Sequence, residues 1–225
     1  MNTNTSYTLA AGLLALSVTA STAFAGTFAN ITLDNDYTDW NGITASATDV
    51  DGDGNAIDFT ELYVANDDDF LYLRFTLDSA TQTNASGSQI FIGIDNDNNT
   101  ATGFDVYSLG LIGSEVAWQN DFPFAQDTGI FNSGAITGGD GLIAGFNSVV
   151  AGQEIGINRS ATFTSGGASI FPNDTISIII YSNGTTQDDV IGTATYTFAV
   201  PEPSSAALLM SIAALGFVMV RRRQS

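Results

Sequence analysis

Short runs rich in Ile, Val, Leu, Phe and Tyr recur through the middle of the chain, and clusters of Gly, Asn, Asp and Ser separate them. Such runs predict β-strands, and the clusters between them predict turns. Strands are predicted at residues 57–64, 70–77, 89–94, 106–111, 115–119, 142–149, 154–159, 176–181 and 189–199. Neither a sustained helical period nor a fixed-length repeat is found there. We therefore predict an all-β fold, an antiparallel β-sandwich of two sheets of the jelly-roll or immunoglobulin-like kind.

Both ends of the chain are apolar and differ from this strand-rich part. Residues 1–25 have the form of a signal peptide, with an apolar stretch followed by Ala23 and Ala25 in the small-x-small pattern of a signal peptidase site. Near the other end, residues 206–220 are apolar and are followed directly by Arg221, Arg222 and Arg223. Length and flanking charge predict a single membrane helix whose arginines anchor it on the cytoplasmic side. The strand-rich part then lies on the opposite side of the membrane.

The part between these ends, residues 26–199, is long enough for one domain and is called the body below. It holds 23 acidic residues, and Arg74 and Arg159 are its only basic residues. This charge excludes nucleic acid as a partner and disfavours contact with anionic membrane surfaces, so the membrane is met only through the C-terminal helix.

The chain has no cysteine and no histidine. Disulfides, thiolate or imidazole metal sites and Ser-His-Asp catalysis are thereby excluded. Carboxylate chemistry remains, and a glycoside hydrolase that uses Glu61, Glu115 or Glu154 with a second carboxylate is the enzymatic alternative.

Aspartates in two Gly- and Asn-rich turns are candidate Ca²⁺ ligands. Asp49, Asp51 and Asp53 alternate ahead of Gly54, which is the spacing in which hard cations find oxygen ligands. The loop is not an EF-hand, because its twelfth position is Thr60 and no flanking helices are predicted. A second candidate set directly follows a predicted strand and consists of Asp95, Asp97 and Asn99. Solvated acidic turns held by their own Asx hydrogen bonds are the alternative for both loops.

Residues 200–225 place Pro201, Glu202 and Pro203 ahead of the apolar run and the arginines. This order resembles the PEP-CTERM sorting signal of Gram-negative bacteria. The resemblance implies export across the inner membrane, transient anchoring, and processing near the Pro-Glu-Pro motif by an exosortase. It further implies a mature protein at the cell surface or outside the cell, beside the exopolysaccharide of a biofilm or floc.

Several stretches of the first half of the body also follow a familiar order. An Asp-rich opening ending at Trp40 is followed by a strand ending in Ala-Asn-Asp, a Leu-Tyr-Leu strand and a strand leading into Asp95 and Asp97. This order resembles family 9 carbohydrate-binding modules and the related DOMON group, which are β-sandwiches. Sugar-binding members hold their ligand between two Trp side chains, and the candidates here are Trp40 and Trp118.

Together these features predict a secreted, non-catalytic β-sandwich protein of the extracellular matrix, associated with exopolysaccharide and stabilised by Ca²⁺. A specific carbohydrate-binding module is the first alternative, and the carboxylate-based glycoside hydrolase is the second. Signal peptidase and an exosortase are the expected processing partners, and extracellular polysaccharide is the expected ligand.

Overall fold

The computed structural model describes residues 26–83, 89–119, 122–139, 142–144, 148–182 and 189–201, with the backbone alone at 142–144. The strands are β1 Ala47–Thr48, β2 Phe59–Asn66, β3 Phe70–Gln82, β4 Ile90–Asp95, β5 Phe104–Asp105, β6 Gly113–Ser114, β7 Val116–Gln119, β8 Phe122–Asp127, β9 Ile130–Thr137, β10 Leu142–Ala144, β11 Val149–Asn158, β12 Thr162–Phe163, β13 Thr175–Ser182 and β14 Val190–Thr197. Two 3₁₀ turns, Tyr37–Trp40 and Val106–Ser108, are the helical elements of the described residues.

The strands form two main sheets in which every strand pair is antiparallel. The five-stranded sheet has the order β1-β2-β3-β11-β10, and the seven-stranded sheet has the order β12-β9-β8-β7-β4-β13-β14. A small third sheet joins β5 to β6. The predicted all-β sandwich is confirmed.

The core lies between the two sheets because period-two alternation turns one side chain in two inward. From β3 the side chains of Leu71, Leu73, Phe75 and Leu77 enter this core, with none of the four more than 6% exposed. Alternate isoleucines of β4 and β13 meet it from the other sheet. These are Ile90, Ile92, Ile94, Ile176, Ile178 and Ile180.

Each sheet also carries an apolar cluster on its outer face. The outer face of the five-stranded sheet, called the closed face below, is covered by the segment before β1, and its cluster is Ile31, Trp40, Ala65 and Tyr72. The outer face of the seven-stranded sheet, called the open face below, is partly covered by the segment between β4 and β7. Its cluster is Phe91, Val106, Ile112, Ile179 and Tyr181.

Two strand predictions were wrong. The run 106–111 begins as a 3₁₀ turn, because Tyr107 and Ser108 adopt positive φ angles of 53° and 57° that end any extended chain. The predicted strand at 142–149 is divided between the whole of β10 and the first residue of β11. The hairpin of β8 and β9 was not predicted at all.

The membrane-related predictions fall outside the described residues. These are the signal peptide with Ala23 and Ala25, the apolar run and its arginines, and Glu202 and Pro203 of the sorting segment. Among the residues that the structure describes, no helix combines the length and apolarity that a bilayer crossing requires.

Candidate functional site

A cavity of about 510 Å³ lies on the open face. Two parts of the chain form its walls on the outside of the sheet: the segment between β4 and β7, and the β8–β9 turn. Its aromatic lining consists of Phe104, Tyr107, Phe131 and Tyr181, and its polar lining consists of Thr100, Asp105, Ser108 and Thr128. Ligand sites are typically concave, largely apolar and furnished with a few polar groups, and this cavity has that composition.

The aromatic rings of the cavity are held in fixed positions by one another. Tyr181 stacks on Phe91 with 5.1 Å between ring centroids and an interplanar angle of 11°, and Tyr107 meets Tyr181 edge-on at 5.4 Å. Phe131 packs on Phe104 at 5.2 Å and remains 37% exposed. Phe131 therefore presents a preformed apolar surface at the mouth of the cavity.

The polar groups of the cavity are tied to the backbone. The hydroxyl of Tyr107 donates to the carbonyl of Ser182 at 3.0 Å. The Asp105 carboxylate accepts from the backbone N–H of Gly110 at 2.8 Å and so closes the turn that follows it. Burial raises the pKa of Tyr181, so its hydroxyl stays protonated at neutral pH. The site thus offers aromatic surface and neutral hydroxyl groups.

Neither predicted glycan-binding tryptophan lies at this cavity. Trp118 is fully buried between the sheets, and its indole N–H donates to the carbonyl of Gly139 at 2.9 Å. Trp40 is 2% exposed on the closed face, where its N–H donates to Glu154 at 2.9 Å. No ring face of either indole is open to a sugar, so the stacking role is corrected to a core role for both residues.

Glu154 is the buried acceptor of the closed face. It is fully buried and, besides Trp40, accepts the backbone N–H groups of Asp34 and Asn35 at 3.2 and 3.0 Å. Arg74 lies on the neighbouring strand, with its guanidinium 4.4 Å from the ring centroid of Tyr37 and 4.9 Å from that of Tyr63. These contacts fasten the leading segment to the sheet.

The predicted aspartate loop before β2 divides between two carboxylate clusters. Asp49 and Asp53 come together with Asp189, which directly precedes β14, while Asp51 comes together with Asp58 and Asp78. In each cluster one oxygen from every member lies within 4.8 Å of the others. Burial, followed by the charge of Asp49, raises the pKa of Asp189 to about 6, and burial also raises the pKa of Asp49.

Two members of the second predicted set lie in a third carboxylate cluster. Asp95 and Asp97 come together with Glu115, and burial raises the pKa of both Asp95 and Glu115. Asn99 donates its backbone N–H to Asp95 and Asp97, while its side-chain oxygen accepts from Ala101. Asn99 therefore shapes the loop with its side chain turned to the backbone.

A further observation concerns the oxygens of these clusters. Oδ2 of Asp49, Oδ1 of Asp58 and Oε1 of Glu115 are buried without a hydrogen-bond partner. Buried carboxylate oxygens normally have a donor or a cation, because desolvation without compensation is costly. Several oxygens converging on one point form the donor set that Ca²⁺ prefers. The residues present therefore fit a hard divalent cation.

Sequence reasoning missed four of these cluster members as metal ligands: Asp58, Asp78, Glu115 and Asp189. Asp78 and Asp189 are brought to the loop by strand pairing and sheet packing, which leave no local pattern. Asp58 had a local signal, since it ends the same Asp-rich stretch directly before a strand.

Comparisons with known proteins give a structural similarity and a matching sequence motif. A search of curated protein sequences finds no match to the chain. Among solved structures, a family 9 carbohydrate-binding module from Caldicellulosiruptor kristjanssonii in complex with cellotriose is similar, with 10% sequence identity and a TM-score of 0.44. The match covers 80% of this chain and 95% of that chain. Residues 199–223 match the PEP-CTERM protein-sorting motif, as the sequence predicted, and the chain is thus marked for export and for C-terminal sorting to the cell surface.

Proposed function

We propose that the body is a non-catalytic carbohydrate-binding protein of the extracellular matrix, associated with the exopolysaccharide of a biofilm or floc. The observation that carries this proposal is the aromatic cavity of the open face. Its fixed rings and neutral hydroxyl groups suit the apolar faces and hydroxyl groups of a sugar. The sorting motif supports it, because it brings the body to the place where such polymers are met.

The cavity supports binding better than hydrolysis. Glycoside hydrolases use two carboxyl groups on either side of the scissile bond. Asp105 is the one carboxylate among the described lining residues, and it is engaged with Gly110. The three candidate glutamates are committed elsewhere, with Glu154 buried under the closed face, Glu115 in its cluster and Glu61 accepting from Tyr63. The hydrolase alternative therefore has no support from this site.

The test is retention of the purified body on immobilised extracellular polysaccharide, measured for Phe131→Ala. We expect affinity to fall by about tenfold, which corresponds to about 1.4 kcal/mol, because this ring forms the mouth of the cavity. Phe122→Ala is the matched control, since Phe122 is 63% exposed and does not line the cavity. Equal losses of affinity in both variants, or no retention of the unaltered body, would contradict the proposal.

We further propose that Ca²⁺ stabilises the body at its carboxylate clusters. The unpartnered buried oxygens of Asp49, Asp58 and Glu115 favour this addition. Bound Ca²⁺ supplies positive charge where two arginines face 23 acidic residues. Its ligands would be Asp49, Asp53 and Asp189 in one cluster, Asp51, Asp58 and Asp78 in the second, and Asp95, Asp97 and Glu115 in the third.

Thermal unfolding in EDTA and in excess Ca²⁺ tests this addition. Ca²⁺ at about a hundred times its dissociation constant adds about 2.7 kcal/mol, which raises Tm by roughly 5–10 °C in a domain of this size. Asp58→Asn should reduce the shift. Asp174→Asn should retain it, because Asp174 is exposed and lies outside all three clusters. The absence of a shift would make these clusters solvated turns and would leave the glycan proposal standing.

A further inference from the structure

The described chain enters and leaves the sandwich at the same edge. The backbone N–H of Gly26 donates to the carbonyl of Thr197 at 2.8 Å, which pairs the first described residue with the end of β14. Asn66, at the end of β2, pairs with Thr27 and Ala29 through its backbone. We call this region, from Gly26 to Ala29 together with Asn66 and residues 197–199, the exit edge.

The side chain of Asn66 holds the outgoing strand at the exit edge. Its amide donates to the carbonyl of Ala199 at 3.0 Å, and its oxygen accepts the backbone N–H of Ala199 at 2.7 Å. The hydroxyl of Tyr196 donates to the same oxygen at 2.7 Å. Asn66 is fully buried, so this clamp is shielded from competing water.

Burial ends one residue beyond the clamp. Ala199 is 5% exposed, whereas Val200 is 77% exposed. The sorting motif begins at this boundary, since its match spans residues 199–223. Ala199, a buried residue, is therefore also the first residue of the matched motif.

The surface beside the exit edge is acidic. A recess of about 270 Å³ lies there, and its lining includes Asp68, Asp69 and Asp174 together with Arg159 and Phe198. Arg159 is engaged, because it donates to the carbonyl of Asp67 at 2.6 Å and lies over the ring of Phe198. Its positive charge remains, but the three carboxylates outnumber this one guanidinium, so the recess has a net negative charge.

The predicted membrane helix would hold this acidic surface close to the membrane before processing. Only residues 201–205 separate Val200 from the predicted membrane helix, and they span roughly 17 Å at most. Anionic headgroups repel carboxylates, so a close approach of this edge requires a basic surface on the partner.

We propose that the exit edge and its acidic recess form a docking surface for the membrane protease that processes the sorting motif. The partner surface carries basic groups, and the Asn66 clamp makes Val200 the first residue offered to it. The recognised object is then the motif together with the folded edge, rather than the linear motif alone. This inference is independent of glycan and Ca²⁺ binding.

A spacer distinguishes recognition of the motif together with the folded edge from recognition of the linear motif alone. The test uses the full-length precursor, expressed in its own host. About ten Gly and Ser residues between Phe198 and Ala199 leave the matched motif, residues 199–223, intact and move it away from the edge by roughly 17 Å. The first spacer residue offers Asn66 the same backbone N–H and carbonyl groups as Ala199. We expect pulse-chase processing to slow by about fivefold or more, equal to about 1 kcal/mol of docking. The same insert between the exposed Gly166 and Gly167 is the control and should leave the rate unchanged.

Charge reversal tests the chemistry of the partner. Asp68→Lys in the recess should slow processing, while Asp127→Lys, at the exposed end of β8, should not. Equal Tm values for the two variants establish that both bodies are folded. Mass spectrometry of the mature protein should place its C-terminus at or beyond Val200. Unchanged processing in either the spacer or the Asp68→Lys precursor, or a mature C-terminus before Ala199, overturns the proposal.

Discussion

The closed face and the open face carry similar apolar clusters but differ in how these clusters are covered. Both carry an apolar cluster on the outside of a sheet, and both are covered by a segment outside the main strands. On the closed face a buried acceptor, Glu154, fastens that segment through three hydrogen bonds and leaves a tryptophan inside. On the open face the covering segment stops short and leaves a cavity lined by Phe and Tyr. We call Glu154 and these three hydrogen bonds the latch. The comparison shows that the latch, rather than the number of aromatic residues, decides which face is available to a ligand.

The largest expected effect comes from breaking the latch. Glu154→Ala leaves the N–H groups of Trp40, Asp34 and Asn35 without their acceptor in a buried site. At about 1–3 kcal/mol for each lost partner, we expect the free energy of unfolding to fall by about 3 kcal/mol or more. Urea denaturation measures the loss. Glu61→Ala is the comparison variant, because Glu61 is only partly buried and accepts from the nearby Tyr63, and it should cost less than about 1 kcal/mol.

The latch variant also sharpens the contrast between the faces. Where Glu154→Ala remains folded, polysaccharide retention should match that of the unaltered body, because Glu154 and the cavity lie on opposite faces of the sandwich. Loss of retention in a fully folded variant would show that the faces are coupled.

A smaller effect is expected from pH, at the cluster that joins the loop before β2 to Asp189. The pKa of Asp189 is raised from an ordinary value near 3.8 to about 6, so the folded body holds a proton that the unfolded chain has released within this range. In EDTA, stability is therefore higher near pH 4 and falls as pH rises towards 6. Tm scans across this range measure the slope. Asp189→Asn should flatten it, and Ca²⁺ should offset the loss at the upper end; a slope of opposite sign would contradict the assignment.

The smallest expected change is in tryptophan emission on ligand binding. Trp40 and Trp118 are buried in the closed face and in the core, so adding polysaccharide fragments to the open face should leave both the wavelength and the intensity of emission unchanged. Quenching by acrylamide should be weak with and without ligand. A blue shift on ligand addition would mean that one indole reaches the sugar. It would contradict the conclusion that the open face is the one available to a ligand.

The sandwich was predictable because its central strands bury at least one face, and β4 and β13 bury both. Leu71, Leu73 and Phe75 alternate with more exposed residues, and this pattern predicts a strand with these three side chains on the buried face of a sheet. The β8–β9 hairpin escaped prediction because β9 is exposed or half-buried throughout, so burial imposes no alternation on its sequence. At residues 106–111 alternation was present, but the Asp105 carboxylate bonds to the N–H of Gly110 and turns the chain instead.

The site was predicted less well than the fold. Tryptophan was taken as the mark of a sugar platform, yet both indoles have buried acceptors that the sequence places far away, Glu154 for Trp40 and Gly139 for Trp118. The cavity is made of ordinary Phe and Tyr residues that come from β5, a 3₁₀ turn, β9 and β13, so no local sequence pattern marks it. The aspartate loops were found from their spacing. The members supplied from distant parts of the chain, such as Asp78 in β3 and Asp189 directly before β14, were not.

The pairing of Gly26 with Thr197 has a consequence for the order of the chain itself. Because the beginning and end of the body meet, a short peptide could link residue 199 to residue 26 while a new opening is made in the exposed turn at Gly166 and Gly167. Compact domains with adjacent ends commonly tolerate such circular permutation. The same sheets would then be reached along a different path, with the native contacts preserved and β14 moved from last strand to an interior place in the sequence.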